Sequence, residues 1–186
     1  MHLTTLARTA AILCTLACTT LPMLGASQST PPGDVPKQDP KIPASAFVTE
    51  APKDAKDVAA LKKSAKKGDT VVLRAKVGGR SEPFVKNRAI FMVADRSIRS
   101  CDEIPGDTCT RPWDYCCESP ESKKANLATV QFTGADGKAL KVGAQSVGGL
   151  EPLKLVVIEG VVSEIDDKGT FVIDARKVFV EPPVKK

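Results

Sequence analysis

The sequence predicts a mostly-β fold, a small closed or partly open five-stranded barrel with one short helix ahead of it and a cysteine-rich insert between strands 2 and 3. Three observations predict it. Short β-branched runs recur between residues 69 and 180, separated by turn residues. Glycines interrupt or end the long runs at Gly78, Gly79 and Gly160, where a strand must bulge or coil rather than lie flat. Only one stretch, 54–67, spaces its apolar residues as a helix does.

Ahead of that domain, residues 1–26 have the order of a signal peptide. Arg8 charges a short n-region, residues 9–21 are apolar and uncharged, and Leu24-Gly25-Ala26 ends on a small residue. The apolar run is too short and too interrupted to span a bilayer, and no later segment is long enough. The mature chain is therefore expected to have no transmembrane segment and to be exported, to the periplasm or outside the cell. Thr15-Leu16-Ala17-Cys18 partly resembles a lipobox, so lipidation at Cys18 and a membrane-anchored lipoprotein are the alternative to cleavage near Ala26.

Residues 27–52 hold six prolines among Ser, Gln, Asp and Lys, a composition that cannot bury enough apolar surface to offset ordering entropy. They are expected to form a disordered, semi-stiff linker. The domain then covers 53–186. Its helix has Asp54 or Asp57 as cap, Val58, Leu61 and Ala65 on one face, four lysines along its side and last turn, and Gly68 as a stop.

The expected strands are 70–77, 89–94, 127–133, 153–165 and 170–180. In the first, Val71, Leu73, Ala75 and Val77 alternate with outward Arg74 and Lys76. Asp136-Gly137 turns residues 139–142 back as a hairpin, and Asp166-Asp167-Lys168-Gly169 turns the last pair. No internal repeat is visible. Five coiled strands suggest an OB-type barrel. The helix that such a barrel carries between its third and fourth strands would fall in 143–150, where three glycines allow at most one turn.

The stretches Val58-Ala59-Ala60-Leu61, Gly68 to Arg74, and Val157 to Val162 followed by Phe171 to Asp174 resemble the bacterial OB-fold family of small periplasmic proteins. The resemblance covers about residues 57–97 and 153–180, not the insert. It implies an OB barrel behind a signal peptide and a helix, and a binding module rather than an enzyme.

The insert, 97–126, holds all four cysteines of the mature chain, Cys101, Cys109, Cys116 and Cys117, with the only Trp and only Tyr. An even set in an exported, proline-rich loop reads as two disulfides. A bridge over such a loop contributes on the order of 3 kcal/mol in the chain-entropy model. A bond between the adjacent Cys116 and Cys117 would be strained, so each is expected to pair with Cys101 or Cys109, in either order. The alternatives are a four-thiolate zinc or iron–sulfur site, or a thiol redox site. The absence of any Cys-x-x-Cys knuckle argues against both.

Trp113 and Tyr115, with Arg111 beside them, either stack on a ligand or pack the insert onto the barrel; packing is preferred. Between 101 and 121 six acidic residues face one basic one, while the whole chain is +5. The insert is thus expected to lie on a basic barrel. No EF-hand spacing turns those acids into a calcium loop.

The only histidine is His2, in the leader, which removes Ser-His-Asp and Cys-His catalysis and histidine metal sites from the mature chain. Neither a Walker loop nor a dinucleotide-binding glycine motif is present. The carboxylates Glu164, Asp166 and Asp167 sit at a turn, where solvated acids are ordinary. The expectation is a non-catalytic binding or structural module of the cell envelope with no cofactor. An OB barrel binds across its second and third strands. Arg74, Lys76, Arg88 and Arg96, with Arg111, Trp113 and Tyr115 of the insert, are the candidate groove residues. An envelope protein, a glycan or another anion is the expected partner. Nucleic acid is the weakest choice, since the charge is mild and the compartment holds little of it.

Overall fold

A computed structural model of the protein describes residues 41–182. The expected signal peptide, Cys18 and residues 27–40 of the expected linker lie outside the described residues.

Six strands form one sheet: β1 (Lys56–Asp57), β2 (Thr70–Val77), β3 (Ile90–Ala94), β4 (Leu127–Gln131), β5 (Leu155–Ile165) and β6 (Phe171–Val180). Around the barrel the order is β2-β3-β4-β6-β5, and β5 pairs back onto β2 to close it. Within the barrel all neighbours are antiparallel except β4 and β6, which run parallel from Thr129↔Val172 to Gln131↔Asp174. This is a five-stranded OB-like barrel, within a residue or two of the expected strands.

Closure depends on β2 serving two neighbours. Residues 70–76 pair with β5, while only Lys76 and Val77 reach β3. The early part of β2 therefore has a free edge, and β1 covers it in parallel at Leu73 and Arg74. Pairing removes an open row of N–H and C=O groups. On the far side Gly160 lets β5 and β6 cross closely. A Cβ there would lie 2.5 Å from the Asp174 carbonyl oxygen, and the register shifts at that point.

Alternation fills the interior. Leu73, Ala75, Val77, Phe91, Val93, Val130, Ile158, Phe171 and Ile173 are all buried. Helix α1 (Val58–Ser64) adds Val58 and Leu61 to the same core. Burying each contributes roughly 1.5–3 kcal/mol, which holds a helix too short to be stable alone. The helix is shorter than the 54–67 expected. Asp57 occupies the cap position, but its side chain accepts no cap hydrogen bond. Asp95, from the start of the insert, accepts from the Ala59 N–H instead, at 2.7 Å. At the other end the Lys66 N–H is taken by the Asp69 carboxylate at 2.8 Å, so the chain turns before Lys66 and Lys67 can join the helix.

Residues 41–52, expected as the end of the linker, pack on the barrel. Ile42 and Ala46 are buried, Phe47 bridges to Val178, and its ring lies 5.8 Å from that of Phe132. Their apolar side chains override the proline content around them. The 139–142 hairpin reduces to one bridge, Thr133↔Ala139, and the 143–150 segment holds one 3-10 turn, Val147–Gly149. Among the described residues no helix is long and apolar enough to cross a membrane.

Candidate functional site

The insert leaves β3 at Asp95 and returns through helix α2 (Pro120–Asn126) directly into β4. Its two ends meet, the Asp95 N–H donating to the Asn126 carbonyl at 2.8 Å. Ser119 caps α2 through the Ser122 N–H at 3.1 Å, and Pro120 opens its first turn. Helix α2 lies where the sequence predicts only a loop. The signal, Ser119-Pro120-Glu121 followed by lysines, is there in outline, but the helix buries no residue and so has no apolar stripe to announce it.

Helix α2 forms one wall of a depression of 440 Å³ on the outer face of β3 and β4. Met92 and Leu127 supply apolar floor, and Thr129 stands opposite Met92 in the strand register. Lys123 and Lys124 come from α2, and Lys168, Gly169 and Thr170 come from the β5–β6 turn. Three lysines and no acid line the groove, and its one aromatic, Phe171, is buried.

Lys62 of α1 fixes both walls. Its ammonium donates to the carbonyls of Lys124 at 2.5 Å, Leu127 at 2.8 Å and Gly169 at 2.9 Å. A cation there also meets the negative end of α2. Burial, reinforced by the Lys124 charge, pulls its pKa below the usual lysine value, against the pull of Asp166. Gly169 completes the closure, since a Cβ on it would meet Lys124 Cγ at 2.5 Å. The turn itself is held by Asp166, which accepts from the N–H and hydroxyl of Thr170, both at 2.8 Å; these bonds hold its carboxyl below the ordinary range.

None of the sequence-predicted groove residues lines this depression. Arg74 pairs with Glu181 at 2.7 Å. Lys76 is buried under the insert, donating to Ser100 Oγ at 3.1 Å and to Glu103 Oε1 at 2.5 Å. Arg88 borders a different hollow with Asp136 and Lys138, and Arg96 and Arg111 are exposed on the insert. The Trp113 indole donates to the Ser81 carbonyl at 3.0 Å, and the Trp113 carbonyl accepts from Gly79 at 2.8 Å. Tyr115 is wholly buried with Ala94 and Ile98. Both aromatics therefore pack the insert onto the barrel. Gly78 makes room for them, for a Cβ there would lie 2.8 Å from the Trp113 carbonyl oxygen and 3.0 Å from Tyr115 Cε2.

The four cysteines converge. Cys116 Sγ lies 3.6 Å from Cys101 Sγ, 3.7 Å from Cys109 Sγ and 4.0 Å from Cys117 Sγ. These are non-bonded contacts, so the two expected disulfides are not formed in this structure. Hydrogen bonding to its three neighbours pushes the Cys116 thiol up to about 12. Asp107 accepts from the Cys109 N–H at 2.6 Å and from the Cys117 thiol at 3.5 Å.

Other hollows are less convergent. One of 490 Å³ between α1 and β2 mixes Asp54, Asp69 and Lys56, and one of 480 Å³ beside α2 mixes lysines with Glu121, Asp166 and Asp167.

No family model and no curated protein matches the chain. Among solved structures it is similar to a protein of Leishmania major Friedlin described as a "putative aspartyl-tRNA synthetase", at 11% identity and a TM-score of 0.38. That likeness covers 76% of this chain and 25% of the other, so the chain spans a quarter of that protein's length.

Proposed function

We propose that the chain is an exported, non-catalytic binding module whose β3–β4 groove takes an acidic segment of an envelope protein. The observation that carries this reading is the groove lining: Lys123, Lys124 and Lys168 around an apolar floor, with no acid among them. The groove lies on the face that OB barrels use for their ligands. Carboxylates answer the lysines, and apolar side chains between them answer Met92 and Leu127. An acidic peptide fits better than a nucleic acid or a glycan because no exposed aromatic ring lines the groove to stack on a base or a sugar. The lining also lacks carboxylate, histidine and cysteine, and no base stands beside its threonines or lysines to activate one of them. Export rests on the leader-like order of residues 1–26.

The test is calorimetric titration of the chain with a decaglutamate peptide, with decalysine and an oligogalacturonate as controls. Decaglutamate should bind with an affinity that falls as salt rises. The triple variant K123Q/K124Q/K168Q should bind about 10-fold more weakly, from roughly 0.5 kcal/mol per exposed ion pair. Equal binding by wild type and variant, or a preference for the galacturonate, contradicts the reading.

A further inference from the structure

The cysteine arrangement has a geometry of its own, independent of the groove reading. Two disulfides would sort four sulfurs into two pairs, each at about 2.05 Å. Here one sulfur, Cys116 Sγ, stands at nearly equal distances of 3.6, 3.7 and 4.0 Å from the other three. Four thiolates around one tetrahedral ion, each about 2.3 Å from it, stand about 3.8 Å from one another. The three distances to Cys116 match the edges that meet at one vertex of such a tetrahedron, while the four sulfurs are not all within 4.8 Å of one another, so Cys109 and Cys117 must draw together to close it. Cys101, Cys116 and Cys117 also keep their sulfurs within 4.8 Å of one another, as Cys101 and Cys109 do with the Asp107 carboxylate.

The surroundings hold that geometry in place. Cys101 begins a 3-10 turn closed by a capping box, in which Ser100 and Glu103 bond reciprocally, and Lys76 of the barrel anchors Glu103. Tyr115 adopts a left-handed backbone, φ 56°, immediately before the Cys116-Cys117 pair. For an aromatic residue that conformation costs about 1–3 kcal/mol and persists only where packing fixes it. The buried Tyr115 ring does so, and the turn brings Cys116 to the other sulfurs. Asp107 orients the Cys109 segment by accepting from its backbone N–H.

We propose that Cys101, Cys109, Cys116 and Cys117 are the thiolate ligands of a single zinc ion that fixes the insert on the barrel. Soft thiolates suit zinc, and a closed set of four is the pattern of a structural site rather than a catalytic one. The missing Cys-x-x-Cys spacing is replaced by tertiary convergence: a 3-10 turn supplies Cys101, a loop supplies Cys109, and the turn at Tyr115 supplies the adjacent pair.

The full chain, purified, reduced and stripped of metal, would be mixed with one equivalent of zinc or cobalt. Native mass spectrometry should show one zinc per chain. The cobalt form should show the strong visible absorption of a tetrahedral thiolate site. Zinc should shield all four cysteines from alkylation and shift the emission of Trp113. C116S should abolish stoichiometric uptake. The cobalt spectrum of the wild-type chain decides the matter even if C116S does not fold. A reduced chain that takes up neither ion overturns the proposal. So does protein purified from the periplasm whose cysteines alkylate only after reduction, for that shows two disulfides.

Discussion

Tyr115 combines a left-handed backbone with a phenol hydroxyl that is buried and, among the described residues, has no hydrogen-bond partner. Burial, with the Glu103 carboxylate adding to it, outweighs the opposing pull of the nearby Ser100 hydroxyl, which does not reach hydrogen-bonding geometry, and pushes the phenol above its ordinary value. A buried unpaired hydroxyl costs about 1–3 kcal/mol, whereas the ring packs against Ala94 and Ile98. Y115F keeps the ring and removes the orphan oxygen. It should raise stability by about 1 kcal/mol in chemical denaturation. A loss of similar size would mean that the hydroxyl has a partner the account lacks. The sequence showed Tyr115 as a packing residue but not why it packs. Its burial depends on Gly78, 37 positions earlier in the chain, which no local pattern links to it. The basic residues differ from their expected exposure for the same reason. Arg74 and Lys76 alternate outward as the strand period requires, yet one meets Glu181 and the other lies beneath the insert.

At the scale of elements, short pieces are held by partners far away in sequence. Helix α1 takes its cap from Asp95, and α2 is tied at its C-terminus by Lys62. K62M would leave the carbonyls of Lys124, Leu127 and Gly169 without that donor. It should destabilise the fold by about 1–3 kcal/mol and weaken decaglutamate binding, although Lys62 does not line the groove. Unchanged binding would show that the walls hold without it. The insert's contact with the barrel should depend on pH through Glu103. Partial burial raises its pKa, but hydrogen bonds from Lys76 and Ser100 and the Lys76 charge outweigh this, leaving it below its ordinary 4.5. The carboxylate therefore stabilises the folded state above its unfolded pKa, and that contribution is lost as pH falls through the folded value. Trp113 emission should report the insert loosening as pH falls below the ordinary glutamate value in the wild type, and E103Q should lack that step. A step of equal size in E103Q would assign the transition to another acid. The long strands were legible because alternation and β-branching persist over many residues. The short helices were not, because seven residues of α2 with none buried carry no period.

Over the whole molecule, the closed barrel is a rigid frame for two peripheral features, the lysine-lined groove and the cysteine cluster. The insert joins them: its cysteines end at Cys117, and α2, with Lys123 and Lys124, begins at Pro120. The barrel could be read from strand spacing and glycine placement. The groove could not, since its cations come from α2 and the β5–β6 turn rather than from the strands that form its floor. Amide chemical-shift mapping of the isotope-labelled chain during a decaglutamate titration tests the central claim most directly. The account predicts shifts confined to Met92, Leu127, Thr129, helix α2 and residues 168–170. Shifts centred on Arg74, Arg88 or Arg96, with the groove silent, would contradict it.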